Sequence, residues 1–440
     1  MTTDTKPEPG PGAEPAPPAP PEHEALASRV TEIARGFDTR IQTVNLPVYR
    51  ASSVLFETLE QAAATGAATM EGERHASTYA TAGTPTTFAL MDALAEIEGR
   101  GHACRAALMP SGLSAIATAF LAYVKAGDHV LMSDSVYGPA RTFAQGILTR
   151  LGVETTFYDP GIGAGIAALM RPSTRVVYLE SPGSYTFEVQ DVPAICAVAR
   201  RHGAISMIDN AWASPVFARP FDWGVDVSLL PLTKYWSGHA DVLMGAAVVR
   251  EEHWKPLWLA VRQSGICVGG DDAFLILRGL RTIDLRMRRH QDSALHVARW
   301  LERRPEVARV LHPALPSHPG HALWRRDFSG SSGLFSFELR RDALLAPAPG
   351  EAALTSDAES HAEARIARKL AALSERRRHY RIGYSWGGYE SLIMPAKISA
   401  LRTVAPWTGG PLVRLHIGLE DPADLIGDLE AGFAAMHAAR

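Results

Sequence analysis

Residues Arg175–Asn210 read RVVYLESPGSYTFEVQDVPAICAVARRHGAISMIDN, and their order sets the fold class. RVVYLES (Arg175–Ser181) is a β-branched apolar run of strand length. DVPAICAVARRHG (Asp191–Gly203) reads as a helix, with Asp191 suited to the N-cap and Gly203 to the C-cap. AISMIDN (Ala204–Asn210) is apolar again. Continuous apolar strands alternating with helices imply a parallel sheet covered on both faces. The alternation extends in both directions. RAALM (Arg105–Met109) and HVLMSD (His129–Asp134) flank the helical SGLSAIATAFLAYVKAG (Ser111–Gly127), and VDVSLL (Val225–Leu230) adds another strand. The fold class is therefore α/β. Ligands of such sheets bind beyond the carboxyl ends of the strands.

The flanks read differently. Residues 1–24 are dominated by proline and glycine and are expected to form a disordered tail. The tail has neither the apolar nor the basic region of a secretory signal. Residues 25–83 hold little that forms a core alone, so this arm must pack on something else, such as a neighbouring subunit. Residues 84–280 carry the alternating pattern. Residues 281–440 read as a smaller α+β domain, with a helix over SALHVARWLERRPEVARVLHP, alternating strands GLFSFEL and LVRLHIGLE, and a loop-like insertion over Ala346–Glu363. The 440 residues are 46% hydrophobic and 21% charged with a net charge of −3, which suits a soluble globular protein and offers no broad basic field for nucleic acid. No apolar run reaches the roughly 20 residues a bilayer span requires. Three scattered cysteines form neither a disulfide framework nor a metal knuckle, which points to a reducing, cytoplasmic setting.

Three features fall at expected strand ends. MPSGLSA (Met109–Ala115) opens a helix, and backbone N–H groups at a helix start suit a phosphate. Alone, it is also an ordinary helix start capped by Ser111. Asp209 ends the strand SMID and either caps a turn or faces a protonated heterocycle. Lys234, in PLTKYWSGHADVLMG (Pro231–Gly245), is a lone amine among threonine, aromatic and small residues. Its stem could simply pass over an apolar patch. Together, a phosphate cradle, a partner for a pyridinium and a sequestered amine are what pyridoxal phosphate requires. A nucleophilic lysine must also titrate near 7–8 rather than at about 10.4, and a desolvated pocket can shift it that far.

Further residues carry a family resemblance. SPGS (181–184), IDNAWA (208–213), TKYWSGHAD (233–241), RGLRT (278–282), SSGLF (331–335), YSWGGYESL (384–392) and RLHIGLE (414–420) resemble the Cys/Met-metabolism family of pyridoxal-phosphate enzymes, from about Val44 to the C-terminus. Within it, VNLPVYRASSVLF, YSWGGYES and RLHIGLEDPADLI are similar to the β-cleaving branch; γ-acting relatives usually carry Leu-Gly-Gly-Ala-Glu-Ser at Trp386–Ser391. The resemblance implies a type I fold of pyridoxal-phosphate enzymes with a seven-stranded, mostly parallel sheet. It also implies a carbon–sulfur lyase acting on L-cystathionine. Lys234 would bind the cofactor covalently and move the Cα proton. Asp209 would hold the ring nitrogen protonated, and Tyr137 would stack on the ring. Gly112, Leu113 and Thr233 would hold the phosphate. Arg414, with Ser385 and Trp386, would take the substrate carboxylate. Tyr79 would reach in from a neighbouring subunit of a homotetramer built from dimers. One position departs from the pattern: Thr81 stands where the family has an arginine on the cofactor phosphate. A hydroxyl supplies no charge, which weakens that anchor unless another arginine compensates.

Other signals carry less. GIGAGI (Gly161–Ile166) follows Asp-Pro rather than a strand and lacks the last glycine of a dinucleotide loop. The histidines of HPALPSHPGH (His312–His321) fit no metal face. Cys104 and Cys196 read as small buried residues, and no partner marks Cys267 as a nucleophile.

Overall fold

The computed structural model describes residues 25–35, 43–347, 359–398 and 401–439. The expected tail and most of the insertion after Ala346 lie outside the described residues.

Seven strands form the larger sheet: β1 (Cys104–Met109), β2 (His129–Ser133), β3 (Glu154–Tyr158), β4 (Thr174–Glu180), β5 (Ile205–Asp209), β6 (Val227–Leu230) and β7 (Gly245–Arg250). Their spatial order is β1-β7-β6-β5-β4-β2-β3. β7 runs antiparallel to both neighbours, and all other pairs are parallel. β1 through β6 therefore point one way and deliver their carboxyl ends to one edge.

The pairing follows from burial on two faces. In β1, Ala107 and Met109 enter one core cluster while Ala106 and Leu108 enter another. β7 alternates likewise, with Ala247 and Val249 on one face and Ala246 and Val248 on the other. In β4, Val176 and Tyr178 join the first face, and Val177 and Leu179 meet the helix Val192–Arg201 opposite. Strands with no solvent face need helices on both sides. That helix starts as expected, with Asp191 Oδ1 accepting from the N–H of Ala194 at 3.3 Å.

A second, antiparallel sheet has the order β10-β11-β9-β8, from β8 (Val307–Leu311), β9 (Leu334–Leu339), β10 (Leu392–Ala396) and β11 (Leu412–His416). Phe335, Phe337, Val413 and Leu415 pack there against Leu425, Leu429 and Phe433 of the C-terminal helix. One expectation is corrected. The segment SALHVARWLERRPEVARVLHP is not one helix: the helix Ile283–Leu301 stops before Pro305, and EVARVL supplies β8. Proline cannot donate an i−4 hydrogen bond, and Val307–Leu311 pairs with β9 instead.

Part of the arm packs on the rest of the chain. Leu26, Val30, Ile33 and Leu46 are buried in the chain's own core with Leu94 and Met287. Val44, Leu55 and Leu59 remain exposed, Leu55 at 92%. Among the described residues no helix is long and apolar enough to cross a membrane.

Candidate active site

The carboxyl edge of the larger sheet gathers most of the singled-out residues. β5 ends at Asp209, which lies beside Leu229 of β6. β6 leads directly into the turn that carries Lys234, whose N–H donates to Pro231 O at 3.0 Å. β1 leads into the helix Gly112–Tyr123. A side chain on Gly112 would meet Pro231 Cβ at 2.8 Å, so the start of this helix lies against the lysine turn. The Ser111 hydroxyl accepts from the N–H of Ser114 at 3.1 Å. Among the described residues the N–H groups of Gly112 and Leu113 have no acceptor.

The second sheet supplies the opposite wall. Arg414, in β11, donates to Ser385 O at 3.2 Å and lies 5.5 Å from the centre of the Tyr185 ring. Among the described residues no carboxylate is within 4.0 Å of its guanidinium. The Nζ of Lys234 donates to the Ser385 hydroxyl and sits 5.1 Å from the centre of the Trp386 ring. Ser385 has φ +73°, a conformation that costs energy outside glycine and recurs at functional sites. Beside these residues opens a cleft of about 530 Å³, lined in part by Thr233, Asp241, Tyr384, Ser385, Trp386 and Tyr389.

The electrostatics suit a reactive amine. Burial, reinforced by the Arg414 guanidinium, brings the Lys234 pKa down to about 8, against the opposing pull of Asp209. Burial pushes Asp209 above the usual carboxylate range, opposed by the N–H of Ala211 at 2.9 Å and by Lys234. The phenol of Tyr137 is raised by burial and then by Asp209 and Glu180, so it stays neutral beside them.

These residues fit pyridoxal phosphate. Asp209 is a buried carboxylate with one backbone donor, and a protonated ring nitrogen would favour its charged form. Gly112 and Leu113 offer unclaimed N–H groups at the helix start that lies against the lysine turn. Thr233 is more committed than its sequence suggests: its hydroxyl donates to Met244 O at 3.2 Å and accepts from Met244 N at 3.0 Å. A phosphate must compete with that carbonyl. Tyr79 and Thr81 lie elsewhere, on a turn bridged to Ser53, and no contact of Lys234, Asp209 or Arg414 reaches them among the described residues. Tyr79 is 48% exposed. Thr81 accepts from Arg262 Nη1 at 2.9 Å, so a guanidinium does stand beside this position.

The family model for Cys/Met metabolism PLP-dependent enzymes matches residues 30–434. The chain belongs to this family. It is 50% identical over 395 residues to a relative from Rhizobium johnstonii, covering 90% of this chain and 92% of that one. It is 42% identical over 417 residues to the cystathionine beta-lyase MetC of Escherichia coli, covering 93% and 98%. Among solved structures, cystathionine gamma synthase from Xanthomonas oryzae pv. oryzae superposes with a TM-score of 0.79 at 28% identity, covering 94% of this chain and 99% of that one. The cofactor of this family member is pyridoxal phosphate, as its sequence implied.

Several residues of this family site escaped sequence reading. Arg286 is buried and donates to Tyr235 O and Gly279 O, both at 2.7 Å, which fixes the turn after Lys234. Burial lowers its pKa to about 10. His416 lies against the Gly387–Gly388 turn, with Nε2 3.2 Å from Gly387 N and 3.0 Å from Gly388 O. Tyr185 and Glu180 were missed as well. A lone arginine or histidine in a helix or strand carries no sequence mark of what it will touch.

Proposed function

We propose that the chain is a carbon–sulfur β-lyase that converts L-cystathionine to homocysteine, pyruvate and ammonia in methionine biosynthesis. One observation carries the reading. The Lys234 amine, its pKa brought down to about 8, feels both a buried carboxylate and a guanidinium that lacks a carboxylate partner among the described residues. The similarity to cystathionine beta-lyase MetC over 93% of the chain supports the choice of substrate.

Bound pyridoxal phosphate supplies an electron sink for negative charge developed at the substrate Cα. Lys234 would anchor the cofactor, and its Nζ would take the Cα proton once the substrate amine is in place. Ser385 holds that nitrogen by its hydroxyl. Arg414 pairs with the substrate carboxylate in the bidentate geometry a lysine cannot reproduce, with Ser385 and Trp386 beside it. Asp209 would keep a bound ring nitrogen protonated, and Tyr137 would lie against the ring. Gly112, Leu113 and Thr233 would hold the phosphate. The carbon–sulfur bond would break at Cβ with its electron pair leaving on sulfur as a thiolate that takes up a proton, and water would convert the remaining three-carbon fragment to pyruvate and ammonia.

Tyr79 and Thr81 act in the site of a neighbouring subunit, with Arg262 supplying the charge that Thr81 lacks. The assembly is a homotetramer of dimers, supported by the exposed apolar residues of the arm. Three free cysteines accord with a cytoplasmic protein.

The test is to incubate cofactor-loaded protein with L-cystathionine and identify the keto acid by mass spectrometry. Pyruvate with homocysteine is expected. Oxobutyrate with cysteine overturns the β-cleavage assignment. Lys234→Ala is expected to abolish turnover, and borohydride treatment is expected to leave no cofactor bound to the variant.

A further inference from the structure

Glu180 closes β4, and its Cα partner on the adjacent strand is Asp209. It is buried, 9% exposed. One carboxyl oxygen accepts from the N–H of Tyr137 at 2.6 Å. The other is 2.7 Å from the Ser184 hydroxyl. A single side chain thus joins the loop after β2 to the loop after β4.

Those loops carry two tyrosines. Tyr137 precedes the helix Gly138–Phe143, and its phenol is close enough to Asp209, Glu180, Tyr185 and Arg414 to be shifted by all four. Tyr185 follows Ser184, has φ +67°, and faces the Arg414 guanidinium. The Tyr137 phenol is therefore within reach of both Asp209 and Arg414, and the Tyr185 ring lies by the Arg414 guanidinium.

Both partners donate to Glu180, the Tyr137 N–H to one carboxyl oxygen and the Ser184 hydroxyl to the other. A protonated Glu180 keeps both contacts, because a hydroxyl can turn to accept the carboxyl proton. Burial and then the neighbouring Asp209 push the Glu180 pKa up to about 8, against the opposing pull of the Ser184 hydroxyl, the Tyr137 N–H and Arg402. Tyr178, the other titratable group nearby, is neutral and buried. Two anions on adjacent strands repel each other, and a ring nitrogen at Asp209 favours charge there. The neutral member of the pair is then Glu180.

We propose that Glu180 is a positioning residue: its carboxyl fixes the Tyr137 amide and the Ser184 hydroxyl, and so seats Tyr137 and Tyr185 beside Asp209 and Arg414. This rests on the proposed assignment of Asp209 and Arg414 to cofactor and substrate.

The experiment uses full-length protein loaded with pyridoxal 5′-phosphate. Wild type, Glu180→Ala, Glu180→Gln and Ser184→Ala are compared. The readouts are far-ultraviolet circular dichroism, the visible circular dichroism of the bound cofactor, and kcat/KM for L-cystathionine. Glu180→Ala is expected to keep its far-ultraviolet spectrum, change the visible band, and lose kcat/KM on the order of 10²-fold, as a misplaced group does. The Glu180→Gln amide can accept from Tyr137 and donate to Ser184, so it is expected to recover most of both signals. Ser184→Ala removes one contact and is expected to move both readouts in the same direction by less. It supplies the same test if Glu180→Ala does not fold. A wild-type visible band and rate in Glu180→Ala, or Glu180→Gln no better than Glu180→Ala, overturns the proposal. If Glu180→Ala does not fold, unchanged readouts in Ser184→Ala overturn it instead. A wild-type protein with no visible band, or with no cystathionine turnover, overturns the functional reading instead.

Discussion

At Lys234 two charged neighbours act in opposite directions, which makes the lysine testable from both sides. Arg414 lowers its pKa and Asp209 raises it, on top of the lowering by burial. With a pKa near 8, about a tenth of the amine is neutral at pH 7, roughly 300 times the fraction of an unperturbed lysine. The rate at which pyridoxal phosphate attaches to cofactor-free protein is therefore expected to rise with pH and level off above about 8. Arg414→Ala is expected to move that midpoint up and Asp209→Asn to move it down. Absorbance-monitored attachment between pH 6 and 10 checks both, and shifts of the same sign would refute the charge assignment. Stability follows the same sign. Between about pH 8 and 10.5 the unfolded lysine binds its proton while the folded one has released it, so stability rises with pH through that window. Lys234 and Asp209 were legible because one is a lone amine and the other a charge at the end of an apolar strand. Arg414 was legible only through a motif. Glu180 was not: it reads as the polar last residue of the strand RVVYLES, with no mark of what its carboxyl touches. Its partner, the N–H of Tyr137, is 43 residues away in sequence.

The element that holds the lysine is a pair of turns in close contact. Gly387 has φ +94°, and a Cβ there would lie 2.9 Å from Lys234 Cα and C. Gly387→Ala thus faces both a left-handed backbone and a clash with backbone atoms that cannot rotate away. The two penalties together amount to about 2–5 kcal/mol. The expected outcome is a lower urea midpoint and slower cofactor attachment, because the turn carries Ser385 and Trp386 onto Nζ. A variant with wild-type attachment would show that the contact does not set the amine's position. The strands were unevenly legible. β4, β5 and β6 announce themselves by short, mostly apolar runs. β3, with sequence ETTFY, lies at the sheet edge with only Tyr158 buried, so its burial pattern is weak. β7, with sequence GAAVVR, is buried but opens with glycine and two alanines, which hold little strand propensity. The helix expected across Pro305 shows the reverse error, where periodicity ran on through a residue that ends it.

At the scale of the whole molecule, a buried carboxylate joins the two sheets. Asp134 follows β2 and accepts the N–H groups of Thr403, Val404 and Ala405 and the Thr403 hydroxyl, each at 3.0 Å. Arg141 completes its shell, and Arg402 donates to its carbonyl oxygen. Those residues lie between β10 and β11, so the clamp draws the Arg414 wall toward the edge that carries Tyr137, three residues beyond Asp134. Nothing local in SDSVYGPAR foretells this, since the partners are some 270 residues away. Asp134→Asn leaves the Arg141 guanidinium, 4% exposed, without its counter-charge. Breaking a buried pair from one side costs about 3–5 kcal/mol. Burial alone would raise the Asp134 pKa, but the three N–H donors and the hydroxyl outweigh it and hold the pKa below 3.8. A carboxylate with a depressed pKa stabilises the fold above its unfolded value and loses that contribution as pH falls through the folded one. The stability gap between wild type and Asp134→Asn is therefore expected to be constant from pH 7 to about 4 and to narrow below 3.8. Urea titrations at pH 7, 5 and 3.5 measure it. A gap under about 1 kcal/mol at pH 7, within the range of a surface pair, would mean that the sheets are held together by their apolar contacts alone.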